Sequence, residues 1–208
     1  MRFAELDAVT VDGFGTLLSL LDPVPALRRA LAERGVDRTT EEVAAAFSAE
    51  VAHYRPRSLA GRDAASLAAL RDECAGVFLS ALGAALEGFA DAFVGAITFE
   101  PVAGAVQTLE RLRSLGLELA LVANWDVGLH EHLRRLELDD LFSTVVTSAE
   151  AGAAKPDPTI FRLALERIGV APGRALHVGD EDADRDGARA AGMAFRPAPL
   201  ATAFEGWT

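Results

Sequence analysis

Four short segments carry side chains that could do chemistry together, and one of them holds the only lysine of the chain. Lys155 stands against nineteen arginines in 208 residues and lies in the run Lys155-Pro156-Asp157-Pro158. In a chain that uses arginine almost everywhere else, a retained lysine indicates a place that needs a compact ammonium on a flexible stem. A small pocket crowded with carboxylate and phosphoryl oxygens is such a place, although a single lysine can also survive by chance.

Asp12 is the second candidate. It ends the short apolar run from Ala8 to Val11 and is followed by the turn Gly13-Phe14-Gly15-Thr16. A carboxylate that leaves a buried strand into a glycine-rich turn has backbone N–H groups around it, and these can hold an anionic group close by. Thr16 adds a hydroxyl. The same pattern also fits an aspartate that ends a strand and caps a turn.

The third candidate is an acidic segment, which places five acids in the seven residues from Asp180 to Asp186. Carboxylates at this density repel one another unless a cation lies among them. Oxygen ligands at the end of a strand suit Mg²⁺, which binds one or two carboxylates and leaves its other positions to water and phosphate. A solvated acidic loop before a helix is the alternative. That alternative explains Glu181 and Asp182 well, but it explains Asp180 less well because Asp180 directly follows a strand.

The elements that must position these groups follow from the hydrophobic pattern. After Gly116 strands and helices alternate: strands over 117–123, 143–147, 174–178 and 193–195, and helices over 127–136, 159–168 and 184–191. This alternation predicts a parallel sheet with right-handed crossovers. A helix is also predicted from Pro101 to about Leu115.

Between the first strand and this alternating region the pattern is helical. Residues 23–97 are rich in alanine and leucine and contain no strand candidate. Thr39 and Glu42 have capping-box spacing, which predicts a helix that runs towards Tyr54. We therefore predict an α/β fold: a Rossmann-like parallel-sheet core of residues 1–18 and 98–208, interrupted by an all-helical insertion of residues 19–97.

In an open parallel sheet, reactive groups gather beyond the carboxyl ends of the strands. Here those ends carry Asp12, Asn124, the loop Ala151–Lys155 and Asp180. We expect two carboxylates, an amide and the only lysine to converge on one crevice.

Composition narrows the class of partner. The net charge is −11 and the pI about 4.8, which argues against nucleic acid or an anionic membrane because both favour basic surfaces. Cys74 is the only cysteine, so a reducing compartment fits. Acidic residues stand where a signal peptide would have its apolar stretch. The sequence predicts a cytoplasmic protein that binds a small molecule, and it does not indicate the oligomeric state.

Together these segments resemble the four ordered motifs of the haloacid dehalogenase (HAD) superfamily. The matching segments are Asp12-Gly13-Phe14-Gly15-Thr16-Leu17, Asn124, Lys155-Pro156-Asp157-Pro158 and Gly179-Asp180 through Asp184. The helical insertion after the first strand resembles the cap of that superfamily. Each motif is short, but their order, spacing and strand-end placement carry the resemblance over the whole chain.

The resemblance implies a role for each matching residue. Asp12 would be the catalytic nucleophile, forming an aspartyl intermediate that water hydrolyses. Mg²⁺ would be held by the Asp12 carboxylate, the Phe14 carbonyl and Asp180, with Asp184 in support.

Three polar side chains would hold the transferring group, namely Thr16, Asn124 and the catalytic lysine Lys155. Positioning and charge neutralisation do most of the work in phosphoryl transfer. The implied reaction is Mg²⁺-dependent hydrolysis of a small phosphorylated metabolite.

Two positions depart from the phosphatases of that superfamily. These carry a second aspartate, a general acid and base, where this chain has Phe14, and a serine or threonine where it has Ala123. General acid–base help is worth typically about 10²- to 10⁴-fold, and a hydroxyl bonded to a charged group about 1.5–3 kcal/mol. We therefore expect weak activity, and a catalytically degenerate binding protein of this fold is the alternative.

A 2-haloacid dehalogenase is a third reading. The superfamily's dehalogenases carry tyrosines where this chain has Phe14 and Phe161, and they lack the metal-binding acid found here as Asp180. The acidic segment thus favours the phosphatase. A phosphonatase-like route needs a second lysine in the cap, which this chain lacks.

Overall fold

The computed structural model describes residues 3–205 and divides into two compact units. One is built from the chain up to Ser19 and from Glu100 onward, and the other comprises Leu20–Phe99. In chain order the strands are β1 (Ala8–Val11), β2 (Leu18–Leu20), β3 (Phe99–Pro101), β4 (Glu118–Ala123), β5 (Thr144–Thr147), β6 (Ala175–Gly179) and β7 (Ala194–Pro197). The helices are α1 (Val24–Ala32), α2 (Thr40–Tyr54), α3 (Ala64–Ala81), α4 (Ala90–Ala96), α5 (Ala105–Ser114), α6 (Leu129–Arg135), α7 (Ser148–Ala151), α8 (Thr159–Ile168) and α9 (Asp182–Ala190).

The first unit is organised around a parallel sheet in the order β5-β4-β1-β6-β7. All four residues of β1 are buried, as expected for a central strand that is covered on both faces. Val11 stands opposite Leu121 on one side and Val178 on the other. This register brings the carboxyl ends of β1, β4 and β6 to one edge of the sheet, and it confirms the predicted α/β fold class.

Helices α8 and α9 cover this sheet with their apolar faces. Helix α8 packs against β4 and β5, and α9 packs against β6 and β7. Ile160, Phe161 and Ala164 of α8 are buried in the same cluster as Ala188 of α9. The two helices fix the strands from which the polar residues at the sheet edge emerge.

The second unit has a hydrophobic core of its own, formed by α1 to α4. Leu27 and Leu31 are buried there with three phenylalanines. The Phe78 ring lies 5.1 Å from that of Phe93 and 6.2 Å from that of Phe89, centroid to centroid. Among residues 3–205, none of the helices combines the length and the apolar character that a membrane span requires.

The predicted capping box opens α2. Thr39 Oγ1 accepts a hydrogen bond from Glu42 N at 3.2 Å, and Glu42 Oε2 accepts one from Thr39 N at 2.8 Å. The pair satisfies two backbone donors that the first turn of the helix leaves free.

One predicted helix start was wrong, and two strands and one short helix were not predicted. The helix predicted from Pro101 begins at Ala105, because Pro101 ends β3, which pairs with the unpredicted strand β2. The backbone bonds Leu21 N to Thr98 O and Val102 N to Leu17 O hold that ribbon. The short helix α7, which the sequence did not predict, follows β5 directly, and only the first residue of the predicted loop Ala151–Lys155 belongs to it.

Candidate active site

Lys155 lies at the centre of the polar groups at the sheet edge. Its Nζ donates to Asp12 Oδ1, to Asp184 Oδ1 at 2.6 Å and to the Val122 carbonyl at 3.0 Å. The lysine side chain is only 3% exposed. An ammonium so deeply buried needs this many partners, because an unpaired buried charge is costly. One cation therefore links the ends of β1 and β4 to the first turn of α9.

Asn124 holds the backbone of Lys155 in place. Its Oδ1 accepts from Lys155 N at 2.7 Å, and its Nδ2 donates to the Lys155 carbonyl at 3.1 Å. The amide thus clamps the loop that carries the lysine to the end of β4. The role of Asn124 towards a substrate oxygen stays a prediction.

Asp180 lies at the exposed side of the same cluster. One carboxylate oxygen each from Asp12, Asp180 and Asp184 lies within 4.8 Å of the others. Thr16 Oγ1 donates to Asp180 Oδ1 at 3.4 Å. Gly15, at φ 86°, leaves the room that Asp180 occupies, because a Cβ there would collide with the Asp180 carboxylate.

These three carboxylates are a donor set that suits Mg²⁺. They are hard oxygen ligands, and the cation prefers a few of them together with water. The carboxylate of Asp184 is the most engaged with the protein itself, since its Oδ1 accepts from Lys155 and its Oδ2 accepts from Glu181 N at 3.1 Å. Asp180 is the exposed member of the three, which leaves its carboxylate the most open to a cation.

A buried histidine that the sequence patterns did not predict completes the cluster. His177 Nε2 lies 3.0 Å from Asp184 Oδ1, and His177 Nδ1 lies 2.8 Å from Thr10 Oγ1. The available signal was a polar residue in the middle of β6, a strand otherwise made of alanine, leucine, valine and glycine.

Burial and charge act against each other in this cluster. Burial raises the pKa of Asp12 to about 7, with the Asp184 carboxylate adding to the rise and Lys155 opposing it. Burial also disfavours the ammonium of Lys155, but Asp12 and Asp184 outweigh it and raise the lysine pKa above its usual value. At Asp184, His177 and Lys155 overcome burial and hold the carboxyl pKa below its usual range. Burial lowers the pKa of His177.

The two departures from the phosphatase motifs also lie at this edge. Phe14, two residues after Asp12, is 43% exposed, and its aromatic ring cannot exchange a proton. Ala123, the last residue of β4, is buried against the turn after Asp12, since a Cβ at Gly13 would lie 3.0 Å from the Ala123 Cβ. The structure thus brings together Asp12, Thr16, Asn124, Lys155, Asp180 and Asp184, the predicted side chains, and puts apolar groups at the two divergent positions.

Comparison with known proteins agrees with this architecture. A family model described as haloacid dehalogenase-like hydrolase matches residues 6–192. The chain is 26% identical to a HAD phosphatase of Thermococcus onnurineus, with a TM-score of 0.62 over 91% of this chain and 85% of that one. It is also 26% identical to the L-2-haloacid dehalogenase of Xanthobacter autotrophicus, with a TM-score of 0.65 over 96% and 82%.

Curated relatives match over shorter segments. The haloacid dehalogenase-like hydrolase domain-containing protein 3 of Mus musculus is 44% identical over 102 residues, which is 49% of this chain and 41% of that protein. The glyceraldehyde 3-phosphate phosphatase of Methanopyrus kandleri is 42% identical over 96 residues (45% and 41%), and the phosphoserine phosphatase of Thermus thermophilus is 46% identical over 87 residues (41% and 35%). The matched segments span less than half the length of these relatives. With the family model covering most of its length and the motif residues meeting at one sheet edge, the chain belongs to the haloacid dehalogenase-like hydrolases.

Proposed function

We propose that the protein is a Mg²⁺-dependent phosphatase that hydrolyses a small phosphorylated metabolite. The observation that carries the proposal is the cluster of Asp12, Asp180 and Asp184 with the Lys155 ammonium bonded to two of them. Two of the curated relatives are named as phosphatases of small phosphate esters, which supports the substrate class.

Asp12 and Asp180 are the residues proposed to hold Mg²⁺ directly, together with the Phe14 carbonyl, and Asp184 supports them. When bound, the cation offsets negative charge on the phosphoryl oxygens. Lys155 adds a second positive charge beside Asp12. Without such cations the approach of an anionic phosphate to a carboxylate is repulsive.

The Asp12 carboxylate is proposed as the nucleophile. One of its oxygens attacks phosphorus, the bond from phosphorus to the leaving oxygen breaks, and that oxygen departs with the electron pair. Water then attacks the phosphorus of the aspartyl phosphate, which releases inorganic phosphate and restores the carboxylate. Thr16 and Asn124 are proposed to orient the phosphoryl group.

Phe14 decides which leaving groups suit this site. A departing alkoxide needs a proton, and the phenylalanine ring cannot donate one. Acyl and aryl phosphates leave as weaker bases and need that proton less. We therefore propose good leaving groups as the better substrates.

A phosphatase assay tests the proposal. Acyl, aryl and alkyl phosphates are incubated with the wild type and with Asp12→Asn, each with Mg²⁺ and with a chelator. We expect turnover that requires Mg²⁺, favours the acyl and aryl compounds and disappears in Asp12→Asn. Equal activity of the two proteins would exclude Asp12 as the nucleophile.

The second candidate is a catalytically degenerate protein of the same fold that binds a ligand. The apolar Phe14 and Ala123 at two motif positions favour it. This candidate would be supported if no phosphate ester were hydrolysed in the assay while Mg²⁺ still raised the melting temperature of the protein. Halide release from 2-chloropropionate without Mg²⁺ would instead support the haloacid dehalogenase reading.

A further inference from the structure

We propose that His177 is a positioning residue that, with Thr10, fixes the Asp184 carboxylate and through it the Lys155 ammonium. The proposal rests on the proposed function for the role of Lys155 in the reaction. The hydrogen bonds from which we argue it are present in the structure whatever reaction the protein catalyses.

His177 lies in the middle of β6 and is fully buried. Its ring meets Phe161 edge to face, with centroids 4.9 Å apart and planes at 84°, and Phe195 lies at 6.4 Å. Packing therefore fixes the plane of the imidazole. In that plane one ring nitrogen faces Asp184 and the other faces Thr10.

The hydrogen-bond partners of His177 indicate which of its ring nitrogens carries the hydrogen. An ionised Asp184 carboxylate can only accept, so His177 Nε2 must donate to it. The Nδ1 of the neutral ring is then an acceptor, and it takes the hydroxyl hydrogen of Thr10 at 2.8 Å. Asp184 thus selects the tautomer, and the Thr10 hydroxyl, which can donate or accept, satisfies the other ring nitrogen.

The consequence for Asp184 is a carboxylate held from three directions. His177 and Lys155 donate to its Oδ1 at 3.0 and 2.6 Å, and Glu181 N donates to its Oδ2 at 3.1 Å. Loss of the His177 donor would let the carboxylate turn about its bond to Cβ. Lys155 would then lose one of its two anionic partners and shift relative to Asp12.

The single lysine of the chain allows a direct test. Protein labelled with ¹⁵N-lysine, without lysine in any tag, gives one side-chain ammonium resonance, which reports Lys155 alone. We expect His177→Leu to shift this resonance and to lower kcat about 10- to 100-fold, the usual effect of removing an outer partner at such a site. KM should change much less.

Two further variants separate position from packing. His177→Gln carries an amide NH₂ that can donate to Asp184, so we expect it to recover most of the resonance position and of kcat. Thr10→Val removes the hydroxyl with little change in shape, and we expect an effect in the same direction as His177→Leu but smaller. His53→Leu, the same substitution at a histidine of the second unit that binds Glu73, is the matched control and should leave the resonance unchanged.

The ¹⁵N spectrum of the imidazole in the wild type needs no variant and should show the hydrogen on Nε2. A hydrogen on Nδ1 would overturn the proposal. So would an unchanged lysine resonance in His177→Leu, even if the wild type is an active phosphatase. A shifted resonance in a protein that hydrolyses no phosphate ester would instead support the positioning role while removing the proposed function.

Discussion

Phe14 is the residue whose chemistry most restricts what this site can do. In the proposed reaction its neighbours in the turn and the cluster around Lys155 supply the nucleophile, positive charge and the metal site, but the ring of Phe14 has no proton to give to a leaving group. Lys155 is buried between two carboxylates, and its raised pKa keeps the proton on the ammonium. In this mechanism the lack of an acid at position 14 therefore limits the rate of cleavage when the leaving group is poor.

An acid at position 14 should speed the cleavage of substrates with poor leaving groups. We expect Phe14→Asp to raise kcat for alkyl phosphates by about 10²-fold, the lower end of the usual contribution of general acid–base catalysis. The rate with acyl phosphates should change little, because their leaving groups need no proton. The measurement is kcat for an alkyl and an acyl phosphate under the same Mg²⁺ concentration.

Phe14→Asn is the matched control, because it has the size and polarity of aspartate without the acidic proton. Its alkyl phosphatase rate should stay near that of the wild type. Since Phe14 is exposed, neither change should disturb the core. If both variants gain equally, polarity rather than proton transfer limits the wild type.

At the scale of elements, helix α2 contains an acid in an unusual place. Glu50 is buried and forms a hydrogen bond with the buried Cys74 of α3. Burial raises the pKa of Glu50, although its hydrogen bond with Cys74 and the charge of His53 oppose the rise. A buried acid of this kind stabilises the fold most when it carries its proton.

The raised pKa fixes how stability should depend on pH. The contribution of Glu50 is fully present below its unfolded pKa, near 4.5, and is lost as the pH rises through the folded value. Glu50→Gln keeps the volume and removes the charge. We expect it to be more stable than the wild type by about 1 kcal/mol at pH 8, the low end of the cost of a poorly satisfied buried polar group.

Urea unfolding at pH 8 and at pH 4 measures that difference in free energy, which should shrink towards pH 4. Asp72→Asn, at an exposed position in the middle of helix α3, removes the same charge away from a helix end and should change stability little at either pH. A difference for Glu50→Gln that is equal at both pH values would show that ionisation of Glu50 is not its cause.

How far the sequence could predict these elements depended on how local the signal was. The α8 boundaries and the Thr39 capping box follow from patterns within a few residues, and both were predicted correctly. The pairing of β2 with β3 joins residues about eighty positions apart in three-residue strands, too short to show alternation. His177 was missed for a related reason. Its role depends on hydrogen bonds with Thr10 and Asp184, and only the folding of the sheet and of α9 brings these residues next to it.

At the scale of the whole molecule, the candidate site belongs to the first unit. Asp12, Asn124, Lys155 and the acidic segment all lie outside Leu20–Phe99, and the second unit has its own core. The chain passes between the units through β2 and β3. The bonds Leu21 N to Thr98 O and Val102 N to Leu17 O pair these strands in antiparallel register.

This pairing allows the second unit to be replaced by a turn. An Asn-Gly dipeptide favours the tight turn that joins two antiparallel strands, so residues 22–97 can be exchanged for it between Leu21 and Thr98. We expect the shortened chain to fold cooperatively and to bind Mg²⁺ with an affinity close to that of the full chain. At a Mg²⁺ concentration 100 times the Kd, both should gain about 2.7 kcal/mol of stability.

Thermal unfolding with and without Mg²⁺ compares the two chains, and Asp180→Asn in the shortened chain is the control that should abolish the gain. Every group proposed for the chemical step remains in the shortened chain, so acyl phosphates should still be cleaved. A shortened chain that folds but no longer responds to Mg²⁺ would show that the metal site needs residues of the second unit, and the assignment of the site to the sheet edge alone would be wrong.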